Sequence, residues 1–312
     1  MMRAPNQEPE RGAAPRAEII EVAPEQAGQR IDNFLIARCK GVPKTRLYRA
    51  LRGGEVRVNG ARKKPPYQLR AGDKLRIPPL RRAAPATPPP RDAAEHVATL
   101  FEDECMLVVD KPAGLAAHGG SGMRYGLIEA LRARHEDAAH LELAHRLDRE
   151  TSGCLMLAKS RAALLDLQAQ LAARRVGKDY AALVRGVWRG GAREIDAPLR
   201  RRPGAKALDA RSVFAPRRQF LNCALVGVAL LSGRMHQARA HAAAAGHPIA
   251  GDRRYGDRAF NREMRAAGLR RMFLHAESLR FAHPLSGMPV EVRAELPAEL
   301  QAVVEALRGA PK

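Results

Sequence analysis

The chain has 312 residues and carries 54 Lys and Arg against 33 Asp and Glu, a net charge of +21. That length supplies about two domains with cores of their own, and the charge suits a polyphosphate partner better than a small neutral metabolite, although a merely solubilising surface has the same balance. No apolar run of about 18 residues is present, which excludes a membrane-spanning helix, and Cys39, Cys105, Cys154 and Cys223 lack paired C-x-x-C spacing, so they read as reduced, buried thiols of a cytoplasmic protein.

Residues 1–16 mix Arg, Glu, Pro and Ala without an apolar core and are expected to be a disordered tail rather than a secretory signal. Ile31, Phe34 and Leu35 at helical spacing predict a helix over 30–40, and Pro43 opens a second, where a missing N–H costs little. In that second helix Leu47, Ala50 and Leu51 form one face, while Lys44, Tyr48, Arg49 and Arg52 occupy the other. Short strands follow at 55–58 and 73–77, with a turn at Asn59-Gly60. A basic helix face is often only a solvated one. Its surroundings say more: Ala27-Gly28-Gln29-Arg30-Ile31-Asp32, the basic helix, Val56-Arg57-Val58-Asn59-Gly60 and Ala71-Gly72-Asp73 together resemble the S4 RNA-binding domain over residues 17–79. The resemblance implies that Lys44, Arg46, Arg49 and Arg52 bind RNA.

Prolines crowd between Pro78 and Arg91, and a stiff linker is expected over 80–96 before a larger domain at 97–312. Met106-Leu107-Val108-Val109 reads as a buried strand. His118-Gly119-Gly120-Ser121-Gly122 has the glycines of a phosphate cradle, but no Walker lysine or dinucleotide spacing accompanies it, so no nucleotide cofactor is expected. Helical patterns at 127–133 and 162–173 alternate with strand-like runs at 154–157, 179–184 and 222–231. The fold class is α+β: a mostly antiparallel mixed sheet with flanking helices and a central cleft.

Three stretches carry chemistry. In His145-Arg146-Leu147-Asp148-Arg149-Glu150-Thr151-Ser152-Gly153 one carboxylate sits between two arginines, which favour its charged form, so Asp148 can serve as nucleophile or base; a surface ion cluster is the plainer alternative. Tyr180, in the β-leaning run 178–186, is either a core tyrosine with a bonded hydroxyl or a ring that stacks on a base. The decapeptide 232–241 holds Arg234, His236, Arg239 and His241. Its histidines are five apart, off the spacing of a helical zinc pair, and no metal site is expected.

These stretches resemble the three motifs of the RluA-type pseudouridine synthase family, which isomerises uridine in structured RNA, and the resemblance spans residues 97–300. It implies that Asp148 is the catalytic carboxylate, that Tyr180 lies against the target uracil, that Arg239, or failing it Arg234, pairs with the carboxylate, and that Arg146 fills the space a flipped base leaves. Met235, Ala238 and Ala210 depart from the family pattern. Lys40-Gly41-Val42-Pro43-Lys44, Arg76-Ile77-Pro78-Pro79 and the 118–122 run point within the family toward several uridines of 23S ribosomal RNA, modified by a monomer that needs no cofactor. A silent RNA-binding or ribosome-assembly factor would share the basic charge and the S4-like module, and an RNA glycosidase would want a second carboxylate to activate water.

Overall fold

The computed structural model describes residues 17–39, 41–80, 94–119, 125–134, 141–200, 202 and 204–309. The expected tail at 1–16 lies outside them, as do most of the linker and residues 120–122 of the glycine run. The chain divides into two compact units, Met1–Thr87 and Pro88–Lys312.

The smaller unit pairs helices α1 (Ile31–Arg38) and α2 (Lys44–Gly53) with a three-stranded antiparallel sheet in the order β1 (Glu18–Glu21), β3 (Lys74–Ile77), β2 (Arg57–Val58). Leu47, Ala50 and Leu51 of α2 join Ile31, Phe34 and Leu35 of α1 and Val58, Leu75 and Ile77 of the sheet in one core. Tyr48 was expected on the outer face of α2. Instead it is half-buried and donates its hydroxyl to Asp32 Oδ2 (3.0 Å), the same carboxylate that takes both Nε and Nη2 of Arg30. Asp32 is buried, and a buried carboxylate needs such donors. Arg46 is likewise tied in a two-bond fork to Glu55 (2.9 and 2.7 Å), whereas Lys44, Arg49 and Arg52 are exposed.

The larger unit begins before the linker was expected to end, because Ala94 is fully buried and its carbonyl accepts from Arg134. Its sheet runs β4 (Thr99–Glu102), β5 (Met106–Lys111), β7 (Ser152–Ala158), β12 (Leu274–Ala282), β8 (Gly177–Arg185), β11 (Cys223–Leu230), β10 (Arg211–Gln219), β9 (Arg193–Asp196), with β6 (Glu142–Leu143) on β7 and β13 (Pro289–Arg293) on β12. Among the described residues only β7 and β12 pair in parallel. Both faces are covered. Leu107, Val109, Leu155 and Leu157 point into one core, with α3 (Leu127–Arg134) and α5 (Gln237–Ala244); Met106, Val108, Cys154 and Met156 point into the other, with α4 (Arg161–Ala172). Burial on both sides is why β5 reads as an unbroken apolar run. Phe260 and Met264 of α6 (Arg258–Ala266) and Leu300 and Val303 of α7 (Ala298–Gly309) close a third cluster. All four cysteines are buried, and among the described residues no helix is long and apolar enough to cross a membrane.

Strand β12 sets the register on which the motifs depend. Its Ala276 lies opposite Gly153 on one side and Tyr180 on the other. The approach to β7 is so close that a Cβ on Gly153 would lie 2.2 Å from the Ala276 carbonyl oxygen, and Gly153 has φ +109°, so glycine is required there.

Because each unit owns its core, a fragment of residues 88–312 should melt in one cooperative transition, within a few degrees of the larger unit's transition in the full chain. A fragment that melts without cooperativity would show that its core needs the smaller unit.

Candidate active site

Asp148 follows the short strand β6, on a loop held from behind by a buried lysine. Lys111 Nζ, at the end of β5, donates to the carbonyls of Pro112 (2.8 Å), Leu115 (2.9 Å) and Arg149 (3.1 Å), and the Gly114 N–H also donates to Arg149 O (2.8 Å). Three acceptors match the three protons of an ammonium, although burial pulls the lysine's pKa down to about 7. His145 fixes the loop's other flank. Its Nε2 accepts the Met156 N–H (3.1 Å), which places the imidazole proton on Nδ1, and burial keeps the ring neutral by lowering its pKa to about 4. Where the motif enters β7, Ser152 Oγ lies 2.9 Å from both Arg271 Nη2 and His275 Nδ1.

The carboxylate of Asp148 faces a cleft of about 780 Å³, whose lining includes Arg146, Lys178, Tyr180, Arg234, His236 and Arg239. That volume accommodates a nucleotide. Arg239 Nη1 donates to Asp148 Oδ2 at 3.0 Å. Arg234 instead donates Nε to the Asp209 carbonyl (3.1 Å). The other edge of Arg239 is clamped by Asp252, with Nε to Oδ2 at 2.8 Å and Nη2 to Oδ1 at 2.9 Å. Asp252 is buried and also accepts from the backbone N–H of Arg254 and Tyr255. Burial is the largest single influence and opposes the charge on both groups, but their mutual hydrogen bonds and attraction, with Asp148 on Arg239 and the backbone N–H groups on Asp252, together outweigh it and hold Asp252 below and Arg239 above their ordinary values.

Tyr180 is 7% exposed and belongs to the core, yet its ring lines the cleft, and among the described residues its hydroxyl has no hydrogen-bond partner. Among the described residues the buried polar side-chain atom left without a partner is His241 Nδ1, so the Tyr180 hydroxyl is open to the cleft rather than sealed in the core. Burial, reinforced by the charge of Asp148, pushes this phenol well above its usual range, so it stays protonated. Arg146 is exposed at the rim.

The two histidines of the third motif diverge. His241 is buried against the Ala197 carbonyl (3.0 Å). His236 stands with Nε2 3.9 Å from Asp148 Oδ1 and Nδ1 3.4 Å from the Tyr255 hydroxyl. Its backbone is left-handed (φ 55°) at the start of α5, a conformation that costs free energy in a residue with a Cβ. Gln237 holds that turn: its Oε1 accepts from Ser232 Oγ (2.8 Å) and the Arg234 N–H (3.0 Å), and its Nε2 donates to Arg211 O (2.8 Å) and Ser212 Oγ (2.9 Å). Of the residues that departed from the family pattern, Ala238 and Ala210 are buried and Met235 is exposed, outside the polar contacts of Asp148.

Sequence reasoning singled out neither Lys111, Asp252 nor His236 as working parts. It also passed over Asp103, Cys105 and His283, the cluster most like a set of metal ligands. There the Ser286 N–H donates to His283 Nδ1 (3.1 Å), which leaves the ring proton on Nε2, facing Asp103 Oδ2 at 2.7 Å. A protonated nitrogen offers no lone pair to a cation, so the cluster reads as a hydrogen-bonded clasp between loops.

A family model described as RNA pseudouridylate synthase matches residues 105–244, and an S4 domain model matches residues 29–75. The chain belongs to the RNA pseudouridylate synthase family and is an isomerase. It is 44% identical to ribosomal large subunit pseudouridine synthase C of Haemophilus influenzae over 93% of this chain and 95% of that one. It is 45% identical to the protein of the same name from Yersinia pestis, over 94% and 97%. Among solved structures, human RNA pseudouridylate synthase domain containing 4 is similar with a TM-score of 0.58 at 25% identity, covering 70% of this chain and 95% of that one.

The Asp252 clamp generates an expectation. Asp252→Asn should lower kcat about tenfold or more while leaving KM for RNA within about twofold, and Asp252→Glu should recover part of the loss. A loss confined to thermal stability, with normal kcat in the folded fraction, would reduce the clamp to scaffolding.

Proposed function

We propose that this enzyme isomerises specific uridines of 23S ribosomal RNA in the cytoplasm, with Asp148 as its catalytic carboxylate. The observation that carries the reading is the cleft itself: one carboxylate oriented by Arg239, beside a tyrosine whose hydroxyl has no protein partner among the described residues. The high identity to large-subunit synthases over nearly the whole chain supports the RNA target.

The reaction breaks the N1–C1′ bond, turns the base and rejoins C1′ to C5, with loss of the C5 proton and gain of one at N1. Electrons balance within the nucleotide, so the chemistry asks for no cofactor. A stacked uridine is out of reach, and the nucleotide must be flipped into the cleft at a cost of a few kcal/mol of stacking. Arg146, exposed at the rim, fills the vacated space. Asp148 then acts on the sugar or the base as nucleophile, or removes a sugar proton to give a glycal. Tyr180 packs its ring on the uracil. Since burial keeps it protonated, its hydroxyl enters as a hydrogen-bond partner or proton relay at C5 rather than as a ready phenolate. Lys44, Arg49 and Arg52 hold phosphates in the smaller unit, and Arg46 contributes only as far as Glu55 releases it.

Hydrolysis of the glycosidic bond fits the site less well. It wants a second carboxylate free to activate water. Asp252 is spent on Arg239 and two backbone N–H groups, and Glu150, which does not line the cleft, pairs with Arg149.

Asp148→Asn should cut conversion of uridine in a 23S transcript by more than about a thousandfold while RNA affinity changes less than about threefold. Tyr180→Phe should slow turnover and keep affinity, whereas Tyr180→Ala should lose both. Single-turnover rates and filter binding measure the two quantities. Comparable turnover of Asp148→Asn and the unaltered enzyme would sink the assignment.

A further inference from the structure

Five arginines fall between residues 253 and 265, and the fold gathers them around one concavity. Arg253 and Arg254 lie on the loop after Asp252, and Arg258, Arg262 and Arg265 recur along one face of α6. With Asp252, Gly256 and Asn261 they line a cup of about 450 Å³. All five are exposed. Among the described residues none of their guanidinium groups makes a hydrogen bond or ion pair; Arg254 rests over the Tyr255 ring, 5.3 Å from its centroid.

The acids nearby are already engaged. Asp252 is bound by Arg239; Asp257 pairs with Arg185 (3.3 Å) and caps α6 through the Phe260 N–H (2.8 Å); Glu263 accepts from Asn222 (2.7 Å). Like charges this close repel over a screening length of about 8 Å, and an anion in the cup would relieve that repulsion. The floor is rigid. Asn261 Oδ1 accepts the Gly251 N–H (2.8 Å) and its Nδ2 donates to Asp252 O (2.9 Å). Gly251, at φ +76°, packs so tightly that a Cβ would meet the Arg271 carbonyl oxygen at 2.3 Å.

The cup and the cleft share a wall. Asp252 lines the cup and clamps Arg239, Arg239 reaches Asp148, and the Tyr255 ring carries both Arg239 and Arg254, each 5.3 Å from its centroid. Guanidinium forks match phosphate oxygens in pairs. We propose that the cup formed by Arg253, Arg254, Arg258, Arg262 and Arg265 is a binding site for a backbone phosphate of the substrate RNA strand, flanking the nucleotide held in the cleft. The proposal rests on the reading of the cleft as the place where a uridine is turned. A phosphate seated there fixes the strand on the same loop that holds Arg239, so binding of the flanking strand and alignment of the catalytic carboxylate become one event.

The test uses the full chain, a 23S rRNA transcript, and poly(U) as a probe that needs no target site. Arg258→Gln/Arg262→Gln removes two charges from the cup; Arg189→Gln/Arg218→Gln removes two exposed charges that line neither the cup nor the cleft. The cup pair should weaken binding of both RNAs about tenfold at about 0.15 M salt and flatten the slope of log affinity against log salt by about 0.7–0.9 for each phosphate no longer held. The control pair should change affinity less than about twofold. Arg253→Gln/Arg265→Gln supplies an independent cup variant should the first fail to fold. Equal losses in cup and control variants would overturn the proposal, as would a cup variant that binds normally, the outcome expected if an acidic protein rather than RNA occupies the cup. Failure of the unaltered protein to convert uridine would sink the enzymatic reading alone, since affinity and salt slope would still decide whether the cup holds phosphate.

Discussion

The larger unit is organised around one guanidinium suspended between two carboxylates. Asp252 offsets the cost of burying the Arg239 charge, and Arg239 with two backbone N–H groups offsets the cost of burying Asp252. Breaking such a buried pair by removing one partner costs about 3–5 kcal/mol, because the other charge is stranded. The consequence for Asp148 is directional. With one edge of Arg239 fixed, the remaining Nη1 points at Asp148 Oδ2, and a half-buried carboxylate acquires a defined orientation. The left-handed turn at His236 and the saturated amide of Gln237 set the angle at which α5 delivers that arginine.

Strand β12 supplies the second constraint. By running between β7 and β8 it aligns Gly153, Ala276 and Tyr180 across the sheet, so the Asp148 loop and the tyrosine open onto one cleft. Lys111 then fixes the loop from below through three carbonyls. The polar framework around the reacting carboxylate is held by several hydrogen bonds per group, which is what preorganised chemistry demands.

Much of this was legible in the residues. Met106–Val109 and Cys154–Leu157 announced themselves as strands because both faces of the sheet are covered, and α2 showed its buried face through Leu47, Ala50 and Leu51. Asp148 and Tyr180 stood out because an acid between arginines and a tyrosine in a scarcely aromatic chain are locally unusual, whereas Arg239 was picked over Arg234 only through the resemblance of 232–241 to the family's third motif. Strands β1, β4, β6, β9, β10, β12 and β13 went unread, since no local period records which strand a segment will pair with or in what register. Asp252 was hidden for a related reason. Next to Arg253 and Arg254 it looks like part of a solvated turn, and its true partner, Arg239, lies on another element. Tyr48 was misjudged by helix face alone: it lies where a basic face should be and is turned inward by Asp32, and Arg46, which only the S4 resemblance had singled out, is paired with Glu55. Both carboxylates are brought near only by the tertiary fold.

The most direct test of the assignment is site-resolved pseudouridine mapping of 23S ribosomal RNA from cells that carry the unaltered chain, the Asp148→Asn chain, or neither. A discrete set of pseudouridines present with the unaltered chain and missing from the other two is the expected result. Identical maps in all three strains, or restoration of the sites by the Asn chain, would contradict it.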